Sequence, residues 1–225
     1  MQLAAKAAAA AEGSRDFAAE GFFEYHLYTL DGRTTIKNQQ TKQLALMSAA
    51  DVPVVKHLVY HGAPDYYRTA YGTRLSNQKV AVLLEIRNSR ENRLGVPLPK
   101  GKVRVYKADS GGSQQFIGED WIDHTPRDER VKIKLGEAFD VVGERTQKDF
   151  RKITAGVWEV EWEIALRNHK TQDQTVTVIE PVPGDWQVLH ATHAYDKPEA
   201  HTLKFSVPVP REGAAKVVYR VRIRG

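Results

Sequence analysis

The chain is expected to be all-β, and three features of its sequence lead there. Short runs alternate apolar and polar residues: Val103 and Val105 against Lys102, Arg104 and Tyr106, then Val131, Ile133 and Leu135 against Lys132 and Lys134. That period of two is the spacing at which successive side chains leave opposite faces of a strand. Turn residues separate the runs, as in Asp109-Ser110-Gly111-Gly112-Ser113 and His124-Thr125-Pro126; glycine accepts positive φ, and proline offers no amide to a ladder. From 98 to 153 one strand-like run follows another with no helical stretch between them, the signature of a β-meander.

In chain order, residues 1–21 are alanine-rich with a Gly13-Ser14 interruption, and a frayed helix or disordered linker is expected there, since alanine favours helix but buries little. From Phe22 aromatic and β-branched residues take over: Tyr25 to Leu30 before Asp31-Gly32 predicts a first strand and turn, with further strands at Leu44, Leu46 and 54–60. Pro64-Asp65 opens an aromatic segment, Tyr66, Tyr67 and Tyr71, expected as an exposed loop. Residues 80–86 are apolar on both faces apart from Glu85, which predicts a central strand covered on each side. Val103–Lys107 and Gln115–Trp121 are expected to form a hairpin across the glycine turn.

After the Ala155-Gly156 break, Trp158 to Leu166, Leu203 to Val209 and Val217 to Ile223 alternate cleanly, predicting an immunoglobulin-like β-sandwich. The expected organisation is thus a linker at 1–21, a first antiparallel β-sandwich or meander module at 22–153, and a second, immunoglobulin-like one at 155–225. Glu159, Glu161 and Glu163 face outward on one strand, Lys216, Arg220, Arg222 and Arg224 on another, so the two rows neutralise each other if their strands are neighbours. Arg87-Asn88, a polar run and Pro97-Leu98-Pro99 recur in order as Arg167-Asn168, a polar run and Pro181-Val182-Pro183, which suggests an internal pseudo-repeat.

Several longer stretches carry a resemblance: GVPLPKGKVRVYK at 95–107, FIGEDWIDHTP at 116–126, KLGEAFDV at 134–141, FEYHLYTL at 23–30, TTIKNQQTKQ at 34–43 and EPVPGDW at 180–186. Together they make the chain, over about 22–225, similar to a bacterial domain-of-unknown-function family that also forms the C-terminal part of mucoidy-inhibitor-A-like proteins. The resemblance implies a fold without an established chemistry. It further implies an exported, periplasmic setting, and a longer polypeptide whose first domain or coiled coil and export signal lie upstream.

Composition narrows the function classes. The 33 basic and 28 acidic residues, net +5, are spread along the chain with no basic block interleaved with aromatics, so nucleic acid is not an expected partner. The absence of cysteine removes disulfides, thiol nucleophiles and thiolate metal sites. No apolar run approaches the length of a membrane-spanning helix, residues 1–13 lack the core of a signal peptide, and the chain is expected to be soluble as written.

The sequence holds no GxSxG elbow, phosphate-cradling glycine loop or HExxH motif, and no cofactor is expected. Carboxylates such as Glu119, Glu144 and Glu180 cannot be paired from sequence alone. Asp120, Asp123 and His124 offer oxygen and nitrogen ligands within five positions, the basis of an alternative reading as a metal-assisted hydrolase, although strand geometry sends the two aspartates to opposite faces. Trp158, Trp162 and Trp186 are expected in the core. The expectation is a non-enzymatic binding or scaffold module of the bacterial cell envelope, contacting a protein or polysaccharide partner through Tyr66, Tyr67, Tyr71 and Trp121. A further alternative is an intramolecular support for an upstream domain.

Overall fold

The computed structural model describes residues 18–22, 25–29, 33–65, 67–70, 74–75 and 79–225. Among these there is no α-helix. Fourteen strands are found, with one 3-10 turn at Arg90–Asn92. The chain divides into two compact units, one of Met1–Val54, Ile86–Gly101 and Ile122–Val131, the other of Val55–Glu85, Lys102–Trp121 and Lys132–Gly225.

In the first unit β1 (Ala18–Phe22) pairs antiparallel with β2 (Tyr25–Thr29). Ala18 to Gly21 therefore depart from the expected linker or helix: a neighbouring strand supplies partners for their backbone groups, and such pairing overrides a weak intrinsic preference. Residues 33–54 contain a turn but no strand, so Leu44 and Leu46 are not in strands as expected. Within the polar run that follows the apolar residues 80–86, Asn88 and Ser89 are buried. The Asn88 amide donates to the carbonyls of Val96 (2.7 Å) and Pro126 (2.9 Å), and its side-chain oxygen accepts from the Gly95 amide (3.0 Å). Its backbone carbonyl accepts from Asp128 (2.7 Å).

The second unit is built on one mixed sheet. In chain order its strands are β3 (Val55–His61), β4 (Arg74–Leu75), β5 (Lys79–Arg87), β8 (Arg130–Thr154), β9 (Val157–Asn168), β10 (Gln174–Pro181), β11 (Asp185–Ala191), β12 (Tyr195–Glu199), β13 (Thr202–Val209) and β14 (Gly213–Arg224). The spatial order is β11-β14-β9-β8-β5-β3-β10-β13-β12, with β4 beside β8 and β3 parallel to β10. The intervening β6 (Gly101–Ala108) and β7 (Gln114–Ile122) form the expected hairpin. At its tip the Asp109 carboxylate accepts from the amides of Gly111 and Ser113, both at 2.9 Å, and Gly112 takes φ +82°.

The alternation read from sequence sets the core. Val160, Trp162, Ile164 and Leu166 of β9, Val217, Tyr219, Val221 and Ile223 of β14, and Leu203, Phe205, Val207 and Val209 of β13 are buried together. The Phe205 and Tyr219 rings meet at 5.6 Å although β13 and β14 stand six places apart in the sheet order. The sheet therefore folds back on itself around one core. Tyr60 of β3, Val80 of β5 and Val141 of β8 belong to the same core, and the expected boundary near Ala155 falls in the turn of the β8–β9 hairpin, with strands on both sides of it in one sheet. The two charged rows do face each other: Arg222 reaches Glu159 at 2.7 Å, Arg220 reaches Glu161 at 3.0 Å and Lys216 reaches Glu163 at 3.3 Å, in the register that places Glu159 opposite Arg222.

Asn168 ends β9 as Asn88 follows β5, and it bonds in the same way. Its amide donates to Gln172 (2.9 Å) and Pro210 (3.1 Å), and its oxygen accepts from the Lys170 amide (3.0 Å). Each asparagine thus holds the start of a Pro-Arg-acid turn, Pro126-Arg127-Asp128 or Pro210-Arg211-Glu212, whose acidic residue has positive φ, +68° and +49°. The Arg-Asn element of the pseudo-repeat has a structural counterpart, carried by Pro126 and Pro210 rather than by Pro97 and Pro181.

Candidate binding surface

Period-two alternation on β6 turns Val103 and Val105 inward, where they are half-buried, and leaves Lys102, Arg104 and Tyr106 exposed. On β7 Phe116, Ile117 and Trp121 are also exposed, Trp121 at 64 %. The Tyr106 and Phe116 rings meet edge-on at 5.7 Å, and the Lys102 ammonium lies 5.4 Å from the Trp121 ring centre. Glu119 joins the charged members, accepting from Lys102 at 2.7 Å and from Arg104 at 3.1 Å. Those hydrogen bonds, Lys102's foremost, hold the Glu119 carboxyl below its ordinary pKa. The result is a set of exposed aromatic rings bordered by fixed charges on a two-stranded hairpin. Trp121, one of the residues named from the sequence, is exposed here, and so is Tyr106, which alternation puts on the face opposite Val103 and Val105.

The other expected contact residues do not gather there. Tyr66 and Tyr71 lie outside the described residues. Tyr67 is only 1 % exposed and is no contact residue. Its hydroxyl donates to Glu180 at 2.9 Å, as does that of Tyr219 at 2.7 Å, and Arg145 Nε donates to the same carboxylate oxygen at 3.0 Å. A hydroxyl beside a buried carboxylate finds a better partner inside than in water once its ring is sheltered by Trp162, 5.8 Å away. The Arg145 guanidinium carbon lies 3.3 Å from the centre of the Trp162 ring.

Burial first, and then the Glu180 charge, pushes the Tyr67 and Tyr219 phenols well above their ordinary pKa. Burial opposes the charge of Arg145, but Glu180 and the two phenols outweigh it and raise its pKa. Gly62 belongs to this cluster, because any Cβ there would collide with the Glu180 carboxylate. Sequence reasoning could not place Arg145 and Glu180 together: both sit in alternating strands where a charge usually faces water. Trp162 and Trp186 are in the core, Trp186 donating to the Ala200 carbonyl at 2.8 Å, whereas Trp158 is half-buried beneath Arg68.

The alternative ligand set is engaged elsewhere. Asp120 accepts from the amides of Trp121 (2.8 Å) and Lys134 (2.7 Å), Asp123 pairs with Lys100 (3.1 Å), and His124 Nδ1 accepts from the Lys100 amide (3.2 Å). That last bond leaves the second ring nitrogen of a neutral His124 as the protonated one. His124, His26 and Tyr28 line a cleft of about 380 Å³ in the first unit. Among the described residues no group of three or more His, Asp or Glu side chains is placed to hold a metal ion. Glu119 and Glu144 are likewise committed, the latter to Arg167 at 3.3 Å. No described helix is long and apolar enough to cross a membrane.

Comparison with protein-family models, with curated proteins and with solved structures returned no match. The hairpin surface and its chemistry therefore carry the functional reading.

Proposed function

We propose that the chain is a non-enzymatic binding module that meets a protein or polysaccharide partner through the β6–β7 hairpin. The observation that carries the reading is the exposure of Trp121 together with Tyr106 and Phe116 on one small sheet. Large aromatic rings left in water lose the burial that ordinarily stabilises them, and clustered exposure of this kind marks contact surfaces. The charges beside them, Lys102, Arg104 and Glu119, can hydrogen-bond the hydroxyls of a sugar or the polar rim of a protein. Placement in the bacterial cell envelope rests on the family resemblance of the sequence, as does the reading of this chain as part of a longer polypeptide.

We read the second unit as the support for that surface and as a β-sandwich, with β8, β9, β14 and β11 in one leaf and β3, β10, β13 and β12 in the other. A single core and strands that cross between leaves support the immunoglobulin-like comparison. The arrangement departs from it in two respects: β3 runs parallel to β10, and the last strand, β14, lies between β9 and β11, where an immunoglobulin sandwich places its fifth strand.

The test is a pull-down with the immobilised 225-residue chain against solubilised envelope, soluble extract and purified cell-wall glycans, with Trp121→Ala and Phe116→Ala controls. Retention of an envelope protein or glycan that both substitutions abolish is expected. Retention indifferent to both would remove the hairpin from the interface, and no retention from any fraction would favour an intramolecular support role.

A further inference from the structure

A second site stands in the first unit, separate in chemistry from the aromatic hairpin. Arg87, Ser89, Arg90 and Glu91 from one segment, and Arg127 and Asp128 from another, line a cavity of about 320 Å³. This lies at the lower end of the range for small-ligand pockets. Three arginines and two carboxylates line it, a net lining charge of 3 − 2 = +1. Arg127 is in contact with Asp128 at 3.5 Å, while no carboxylate among the described residues pairs with Arg87 or Arg90. Behind them Ser89 is 3 % exposed, and its hydroxyl has no hydrogen-bond partner. A buried hydroxyl left unpaired is an exception that calls for a reason. Ser89 itself lines the cavity.

The two segments do not approach by chance. The buried Asn88 amide donates to the Pro126 carbonyl at 2.9 Å, and the Asn88 carbonyl accepts from the Asp128 amide at 2.7 Å. The Asn88 amide nitrogen of the backbone donates in turn to Glu129 at 2.8 Å. These bonds hold the backbone next to Arg87, Ser89 and Arg127, so the two segments that carry the arginines are fixed side by side before any ligand arrives.

We infer that this cavity is a binding site for a tetrahedral oxyanion, a phosphate or sulfate group, free or carried on a larger molecule. Guanidinium forks match such groups in charge and geometry. The shape of the donor set decides between anions: a carboxylate has two oxygens and is satisfied by one or two forks, whereas three arginines and a hydroxyl call for an acceptor with three or four. The opposing Glu91 and Asp128 keep the site from attracting anions indiscriminately and tie selectivity to hydrogen bonding.

The experiment titrates the 225-residue chain with inorganic phosphate, sulfate, glycerol phosphate and acetate at one fixed ionic strength, followed by calorimetry and by amide chemical shifts. Saturable binding of phosphate or sulfate is expected, with shifts centred on residues 87–91 and 127–128. Binding at least about tenfold weaker is expected in Arg87→Gln and Arg90→Gln, as befits the loss of a charge-assisted contact. Arg211→Gln, in the matching turn that Asn168 holds, should leave it unchanged. Tighter binding of glycerol phosphate than of phosphate would point to an organic ester as the ligand. Equal responses to acetate and phosphate, shifts centred elsewhere, or affinity unaltered in both Arg87→Gln and Arg90→Gln would each overturn the assignment.

Discussion

Glu180→Gln tests whether the core of the second unit depends on an ion pair. Glu180 is fully buried and Arg145 is 1 % exposed, so replacing the carboxylate by an amide keeps the shape but leaves a guanidinium uncompensated in the core. Removing one partner of a buried pair costs about 3–5 kcal/mol. Against a total stability of about 5–15 kcal/mol, that is a large share. Arg145→Met should cost less, because a carboxyl left alone can take up a proton and still accept from two phenols, whereas a guanidinium cannot shed its charge. The double variant Arg145→Met/Glu180→Gln removes both charges, so its loss should fall short of the sum by a coupling of about 0.5–3 kcal/mol. Urea unfolding of the four proteins gives these quantities, provided the dependence on denaturant is shared. Strict additivity, or a Glu180→Gln loss below about 1 kcal/mol, would refute the view that the pair holds the core as a unit.

Two further outcomes follow from the same geometry. The Tyr67 and Tyr219 phenols are held above their ordinary value of 10.0 by burial and by Glu180, so the stability that they contribute is complete below that value and is lost as pH rises beyond it. The urea midpoint should fall on the alkaline side of 10.0 and fall less steeply in Tyr67→Phe/Tyr219→Phe; an identical slope in both proteins would contradict this. Arg220, between Asp149 (2.8 Å) and Glu161 (3.0 Å), should destabilise the sheet when changed to Glu. Adding Glu161→Lys should restore about 0.2–1 kcal/mol of that loss, and thermal unfolding that shows no recovery would count against cross-strand pairing as the source.

Strand content and facing were legible in the sequence because they are local: the period of two fixed which side of β9, β13 and β14 is buried, and Asp109-Ser110-Gly111-Gly112 fixed the β6–β7 turn. Even the charge rows of β9 and β14 could be matched from their alternation, since complementary charges on outward faces leave few other partners. Trp121 and Tyr106 were likewise visible as outward-facing rings. Tertiary structure alone decided the rest. Which strands become neighbours depends on closing long loops around a common core, and no local pattern records that β3 runs parallel to β10 or that residues on both sides of Ala155 share one sheet. For the same reason Tyr67, read as exposed, is buried: its surroundings come from Glu180 and Tyr219, 113 and 152 residues away. The arginine cavity follows suit, because Arg87 and Arg127 come to line one cavity through long-range contacts such as the hydrogen bonds of the buried Asn88.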